Sequence, residues 1–516
     1  MVSESYDIVI IGAGLSGIGA AVHFGKECPS HSLALFESRE SIGGTWDLFR
    51  YPGIRSDSDM FTLGYSFKPW LNPQAIADGS LIRNYINDAA DEYDVKGKIQ
   101  FQQRITSANW SSEQQRWILE VTDQRTQAVK VVTANFVMAC TGYYNYQSGY
   151  EPVFEGKADY QGQIIHPQHW PEDLNYDGKS VVIIGSGATA VTLAPAMADK
   201  AKQITLLQRS PSYVMSMPKV DPKLEVLREK FSPKLYYRLV RARNVTLSFL
   251  VYQFCKFFPE KARNFLQGHV KEMIGDEVDM KHFTPKYNPW DERVCAVTDG
   301  DLFNAVKQGD VVMETDHIER FNKDGLLLKS GKQLNADIVI TATGLNLQLL
   351  GGMSLSVDDQ PFDVTQKMSY RGVLLEDLPN MGFVFGYTNA SWTLKADLVL
   401  KYVTRILNKM RKNATSTVVP KNTGGDPGGI PFIDLQSGYV MRGRDLMPQQ
   451  GQKLPWRLYQ NYVLDFLTLR FSRLNDGKLF FFNTAANTNV TRRSVEKNPA
   501  TDQRSVSDEP ISETMS

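Results

Sequence analysis

Ile8-Val9-Ile10-Ile11-Gly12-Ala13-Gly14-Leu15-Ser16-Gly17 is the stretch whose reading decides the fold. Four consecutive apolar residues read as a short strand buried on both faces. The glycines then open a helical pattern from Ile18 to Glu27, and a second apolar strand, Leu33 to Phe36, ends at Glu37. Strand, glycine-rich turn, helix, strand and terminal acid make a βαβ unit for one dinucleotide. The glycines permit the tight turn and let a pyrophosphate approach the helix N-terminus, and the acid accepts from ribose hydroxyls. A lone glycine fingerprint is weak, but here strand, helix and acid all accompany it.

The pattern recurs. Val181 to Ile184 runs into Gly185-Ser186-Gly187-Ala188-Thr189-Ala190, followed by a helix to about Asp199 and a strand from Ile204 to Leu207. This second strand ends in Gln208-Arg209-Ser210, with no acid. A cation at that place suits a phosphate on the adenosine 2′ position and points to NADPH over NADH. The competing reading of Arg209 is a solvated strand-end cation. Two more strands, Ala134 to Thr141 and Ala336 to Thr343, each run into Thr-Gly and read as the crossings between two nucleotide domains. The expected fold class is α/β, with two Rossmann-like dinucleotide-binding domains and a helical insertion. The expected division is 1–145 with 346–490 for FAD, 146–217 with 290–345 for NADP, a helical insertion at 218–289, and a disordered tail at 491–516. That tail is rich in Ser, Glu, Asp and Thr and nearly free of apolar residues.

A chain of 516 residues with 42% hydrophobic content has enough material for two or three domains. Lys plus Arg and Asp plus Glu balance at 57 each, so no global field draws the chain to nucleic acid, and small molecules are the expected partners. Cys28, Cys140, Cys255 and Cys295 are scattered, with no zinc-ligand spacing, no disulfide framework and no close redox pair of the disulfide-reductase kind. No metal is expected. The N-terminus lacks the segments of a signal peptide, and no apolar run approaches the roughly 20 residues needed to span a bilayer. A cytoplasmic protein is expected, with peripheral membrane contact left open. Such contact would use the insertion, whose aromatics and cations alternate at Tyr236, Tyr237, Arg238, Arg241 and Arg243, a pattern that equally suits the lining of a substrate tunnel. The plainer reading is a helix pair packed on its domain with solvated basic faces.

Two further stretches carry a resemblance. Tyr160-Gln-Gly-Gln-Ile-Ile-His-Pro-Gln-His-Trp-Pro171 matches the FxGxxxHxxxWP pattern through Gly162, His166, Trp170 and Pro171, with Tyr160 in place of Phe. Gly43-Gly-Thr-Trp-Asp-Leu-Phe-Arg-Tyr-Pro-Gly-Ile-Arg-Ser-Asp57 matches [AG]GxWxxxx[FY]P[GM]xxxD. With these motifs the chain, over nearly all of residues 5 to 490, resembles the class B flavoprotein Baeyer–Villiger monooxygenases, and within them the ethionamide-activating subgroup. Trp170-Pro171 separates it from the nitrogen- and sulfur-oxidising flavin monooxygenases, which carry Tyr or Phe and then a basic residue there.

The resemblance implies NADPH- and O2-dependent insertion of one oxygen atom into ketones, giving esters or lactones through a C4a-peroxyflavin, with oxygenation of sulfides or thioamides besides. It sets Gly12, Gly14, Ser16, Gly17, Glu37, Thr45, Trp46, Asp47, Asp57 and the backbone at Ile105 against FAD. Gly185, Ser186, Gly187, Ala188, Thr189, Ala190, Val191, Gln208 and Arg209, with the Arg55-Ser56-Asp57 corner, fall to NADP. The family's active-site arginine falls at Arg293, held and kept ionised by Asp57. Read locally, Arg293 is a loop residue bridged to Asp291 or Glu292. Relatives carry Lys where this chain has Glu292, which leaves NADPH selectivity to Arg209. His166 belongs to the connection between the domains, where it governs their rotation. Two alternatives stay open: a heteroatom monooxygenase without significant ketone activity, and a non-catalytic nucleotide-binding redox sensor.

Overall fold

The computed structural model describes residues 4–483. The tail expected at 491–516, and the end of the stretch expected to close at 490, lie outside the described residues. The first βαβ unit consists of β1 (Glu4–Ile11), α1 (Leu15–Glu27) and β2 (Leu33–Phe36). β1 and β2 run parallel, with Ile8 opposite Leu33 and Ile11 opposite Phe36. The helix starts earlier than the apolar periodicity indicates, because the Ile18 amide already donates to the Gly14 carbonyl at 3.0 Å. The short β3 (Ile99–Gln100) lies beside β2, while β4 (Gln103–Ser111), β5 (Arg116–Asp123) and β6 (Val129–Ala139) form an antiparallel run whose last strand pairs parallel to β1. Strands from the far end of the chain, at 354–383, join the same eleven-stranded sheet.

The second unit is built on β7 (Gln163–Ile165), β8 (Ser180–Ile184), α2 (Ala188–Met197) and β9 (Gln203–Gln208). β10 (Val214–Met217) then leads into α3 (Pro222–Lys230), α4 (Pro233–Phe257) and α5 (Pro259–Ile274). The chain returns through β11 (Cys295–Thr298), β12 (Val311–Thr315) and β13 (Ile338–Thr341). Five parallel strands stand in the order β12-β9-β8-β13-β7. β10 and β11, the strands on either side of the three helices, pair with each other in parallel, Val214 opposite Cys295. The strands expected as crossings are shorter at their ends: β6 stops at Ala139 and β13 at Thr341, so both Thr-Gly steps lie just past the sheets. There the two connections run side by side, with Leu345 opposite Gly149 and Leu347 opposite Tyr144.

Each central strand serves two cores, as the period-2 alternation of a strand requires. Ile8 and Ile10 pack with α1 and with α6 (Trp392–Lys412), while Val9 and Ile11 face Trp110 and Trp117 on the opposite side. In β8, Val181 and Ile183 belong to one cluster and Val182 and Ile184 to another. Each such side chain stabilises the fold by about 1.5–3 kcal/mol, which fixes the glycine turns at the strand ends. A last helix, α7 (Tyr462–Phe471), packs on α6.

Candidate active site

A cavity of about 440 Å³ opens at the C-terminal end of β1, where ligands of such sheets gather. Gly12, Gly14, Ser16, Glu37, Thr45, Trp46, Ile105 and Arg293 all line it. Its floor is glycine for a steric reason. Gly12 has φ +98°, and a Cβ there would stand 2.8 Å from the Cys140 carbonyl oxygen, while a Cβ on Gly17 would collide with the Gly12 carbonyl oxygen. Glu37 is fixed by the Ala13 amide, which donates to Oε2 at 2.6 Å, and by the Arg39 amide, which donates to Oε1 at 2.9 Å. A glycine turn at a helix start beside an oriented carboxylate fits a dinucleotide such as FAD, pyrophosphate on the turn and ribose on the acid.

Arg293 brings a cation to this cavity. Its Nη1 lies 3.7 Å from Asp57 Oδ2, with the two side chains 37% and 28% exposed. The loop alternative for Arg293 fails: Asp291 is taken by Lys256 at 3.0 Å, and Glu292 is pulled down by Arg209, although burial leaves its carboxyl raised. Burial raises the Asp57 carboxyl, and Arg293 and Arg55 only partly offset that. Burial alone would lower the Arg293 guanidinium, but Tyr439, Tyr143, Tyr144 and Asp57 outweigh it and hold it above its ordinary value. At 3.7 Å the two groups stand within ion-pair range. Arg293 Nε is buried with no hydrogen-bond partner, so the guanidinium keeps unused donor capacity.

The second glycine turn is similarly shaped. Gly185 has φ +147°, Ser186 Oγ accepts from Ser212 Oγ at 3.1 Å, and the space beyond Gly187 is open at the N-terminus of α2. Ala188 and Thr189 stand half-buried on its first turn, and Arg209 is exposed at the end of β9. His166 sits at the paired connections. Its Nε2 donates to the Gly344 carbonyl at 3.2 Å and its Nδ1 accepts from the Gln168 amide at 3.2 Å, an arrangement only the neutral ring satisfies. Burial lowers its pKa accordingly. Trp170 packs on the core of the second sheet, and Pro171 is exposed. Tyr160, the departure from Phe, donates its hydroxyl to the Ala336 carbonyl at 2.9 Å beneath Gly162, where any Cβ would strike that hydroxyl.

Several expected contacts are placed elsewhere. Asp47 does not line the cavity; it is 2% exposed and its carboxylate is engaged by Arg39 and Arg50, each at 2.6 Å, and by Ser41 at 2.7 Å. Arg55 is held by Asp301 at 2.5 and 3.3 Å, and the Ser56 hydroxyl accepts from the Ser58 amide. Gln208 is buried and donates to the His282 carbonyl at 2.7 Å and to Thr315 at 3.0 Å, which removes it from the open side of the turn. Ala190 and Val191 are core residues of the α2 face. In turn, sequence reasoning missed an aromatic wall. Trp392 stacks on Tyr143 at 5.4 Å between centroids, and its Nε1 donates to Ser16 Oγ at 2.7 Å. Tyr143 and Tyr144 share a 2.8 Å hydroxyl bond beside Arg293, and both phenols are raised by burial. The only signal was the aromatic run Tyr143-Tyr144 directly after the Thr-Gly step.

Residues 5–350 match the model of a family described as flavin-binding monooxygenase-like. The chain is 49% identical over 481 residues to the FAD-containing monooxygenase EthA of Mycobacterium tuberculosis, covering 93% of this chain and 98% of the relative. It is 48% identical over 480 residues to the probable FAD-binding monooxygenase AlmA of Acinetobacter baylyi, covering 92% and 96%. Among solved structures, an oxidized steroid monooxygenase bound to NADP superposes with a TM-score of 0.73 at 21% identity, over 93% of this chain and 100% of that one. An open structure of cyclohexanone monooxygenase gives 0.68 at 21%, over 81% and 90%.

Proposed function

The chain belongs to the flavin-binding monooxygenase-like family, and from that premise we propose that it is an FAD-containing, NADPH-dependent monooxygenase whose principal reaction is Baeyer–Villiger insertion of one oxygen atom into ketones, with oxygenation of sulfides or thioamides besides. When bound, the cofactors supply electron transfer and oxygen activation: NADPH gives two electrons, one oxygen atom enters beside the carbonyl carbon, and the other leaves as water.

What supports the ketone reading is one observation, Arg293 at the wall of the glycine-floored cavity with Asp57 3.7 Å from it outside the lining. Attack on a ketone moves negative charge onto the carbonyl oxygen, and a fixed cation lowers that barrier most when it is held in place beforehand. Asp57 acts through Arg293 as a positioning residue, keeping the guanidinium aimed and charged. The stacked rings of Trp392 and Tyr143 exclude water from the same wall, which strengthens the field of Arg293. At the second turn, Gly185 to Thr189 would take the NADP pyrophosphate and Arg209 the 2′-phosphate.

The test is product analysis by mass spectrometry after turnover of a mixed panel, a cyclic ketone with an aryl methyl sulfide, under isotopically labelled oxygen. A lactone carrying one labelled atom is the expected product, with sulfoxide as a second. Sulfoxide alone would assign the protein to heteroatom oxygenation. No substrate-stimulated NADPH oxidation with either compound would leave only nucleotide binding.

A further inference from the structure

Away from the glycine turns, a separate cavity of about 240 Å³ lies between α4, α6 and α7. Arg241, Lys401, Arg405 and Arg470 converge on it, against one lining carboxylate, Asp397. That carboxylate is already shared: His23 Nε2 lies 3.1 Å from Oδ1, while the Ser66 amide at 3.1 Å and Arg241 at 3.5 Å reach Oδ2. Arg241 and Arg405 are oriented by backbone carbonyls, Arg241 by those of Phe61 and Gly64 at 2.8 and 2.7 Å, Arg405 by that of Leu469 at 2.5 Å. Carbonyls fix the guanidinium planes without cancelling their charge. Among the described residues, Lys401, Arg405 and Arg470 form no ion pair within 4.0 Å. Convergent cations in a half-enclosed space repel one another unless an anion enters.

A helix that lines this cavity also carries exposed apolar side chains on its neighbouring face. Phe466 lines the cavity, and the same helix leaves Val463, Leu467 and Phe471 in solvent, Phe471 at 68%. No described helix is long and apolar enough to cross a membrane. Cations beside exposed apolar side chains of α7 match a bilayer surface, where the apolar groups enter the acyl boundary and the cations meet headgroup oxygens. We propose that the α4–α6–α7 cavity binds the phosphate headgroup of an anionic lipid and seats the protein peripherally on an anionic membrane.

The experiment uses full-length, FAD-loaded protein sedimented with vesicles of phosphatidylcholine alone and of phosphatidylcholine with phosphatidylglycerol, at low and high salt. Salt-sensitive binding to the anionic vesicles only is expected. Lys401→Gln with Arg470→Gln should lower the partition coefficient roughly thirtyfold, the effect of two cations at such a surface. Arg470→Gln alone, at an exposed position, should give about fivefold, and FAD absorbance confirms that both variants are folded. Calorimetry with inorganic phosphate and with decanoate forms the other arm, where no binding at millimolar concentration is expected. Equal binding to neutral vesicles, unchanged binding by the double variant, or binding of free decanoate or phosphate instead of vesicles would each overturn the proposal.

Discussion

Arg293 Nη1 and Asp57 Oδ2 stand 3.7 Å apart although one residue follows the three-helix segment and the other precedes the second sheet altogether. The contact therefore exists only when both parts of the chain are in place. Replacing Arg293 by Ala should leave the fold and FAD content unchanged. Ketone oxygenation should fall by about a hundred- to a thousandfold, the roughly 3–4 kcal/mol that a preorganised cation supplies to a developing oxyanion. The NADPH still consumed should appear as hydrogen peroxide, with sulfide oxygenation less affected. Near-parent ester formation with coupled NADPH use would return Arg293 to a structural role.

Asp57→Asn keeps the shape and removes the charge. Ketone kcat/KM should drop about tenfold, less than for Arg293→Ala, and the double variant should lose no more than Arg293→Ala alone, because the two residues act as a unit. The raised Asp57 carboxyl takes up its proton at higher pH than an ordinary carboxylate does. The parent should thus lose activity on the acid side as pH falls, and this limb should be absent from the pH profile of Asp57→Asn. An unchanged acid limb would assign it to another group.

Arg209→Ala tests the second site. Loss of a charge-assisted phosphate contact is worth on the order of 1.5–3 kcal/mol, about ten- to a hundredfold in NADPH affinity, with NADH use little altered. Steady-state KM values for both nucleotides measure this. Equal loss for the two would show that Arg209 merely faces Glu292.

His166 predicts a pH dependence of stability. Its folded pKa is depressed, so between that value and the ordinary value of about 6.5 the unfolded chain binds more protons than the native one. Its contribution is complete above about pH 6.5 and is lost as pH falls. His166→Ala should be less stable than the parent at pH 7.5 and should show a shallower decline in Tm from pH 6.5 to 5. Parallel declines would mean the ring carries no proton-linked stability.

Gly17→Ala should fail for a steric reason, since the new Cβ meets the Gly12 carbonyl oxygen within the turn itself. Overpacking of this kind costs about 1–3 kcal/mol or more. The purified variant should be pale and should lose FAD on gel filtration. A fully yellow variant with parent Tm would show that the turn relaxes.

Both glycine turns were legible because everything that defines them, strand, turn, helix and the residue ending the second strand, lies within one short span. The places of Glu37 and Arg209 at the ends of their strands could be read from position alone. Contacts between distant segments could not. Nothing in the sequence around Arg55 announces Asp301, 246 positions away. Gln208 is adjacent to Arg209 in sequence, but strand alternation turns its side chain inward to His282 and Thr315, an orientation that adjacency does not reveal. Arg293 was found only through resemblance, since its local neighbours offered two carboxylates and the real partner is Asp57.

β10 and β11 bracket the three helices and pair with each other over Val214–Met217 and Cys295–Thr298. Exit and re-entry are therefore anchored to one shared ladder, two residues from Arg293. In engineering terms the segment between them is a cassette with a fixed socket: its exposed faces are free to diverge in surface chemistry so long as the four-rung register is kept and Tyr236, Tyr237 and Val240 still seat α4 in the first core. Arg293 rides on the socket, so a slip of one rung would redirect its guanidinium, whereas changes on the exposed helix faces need not.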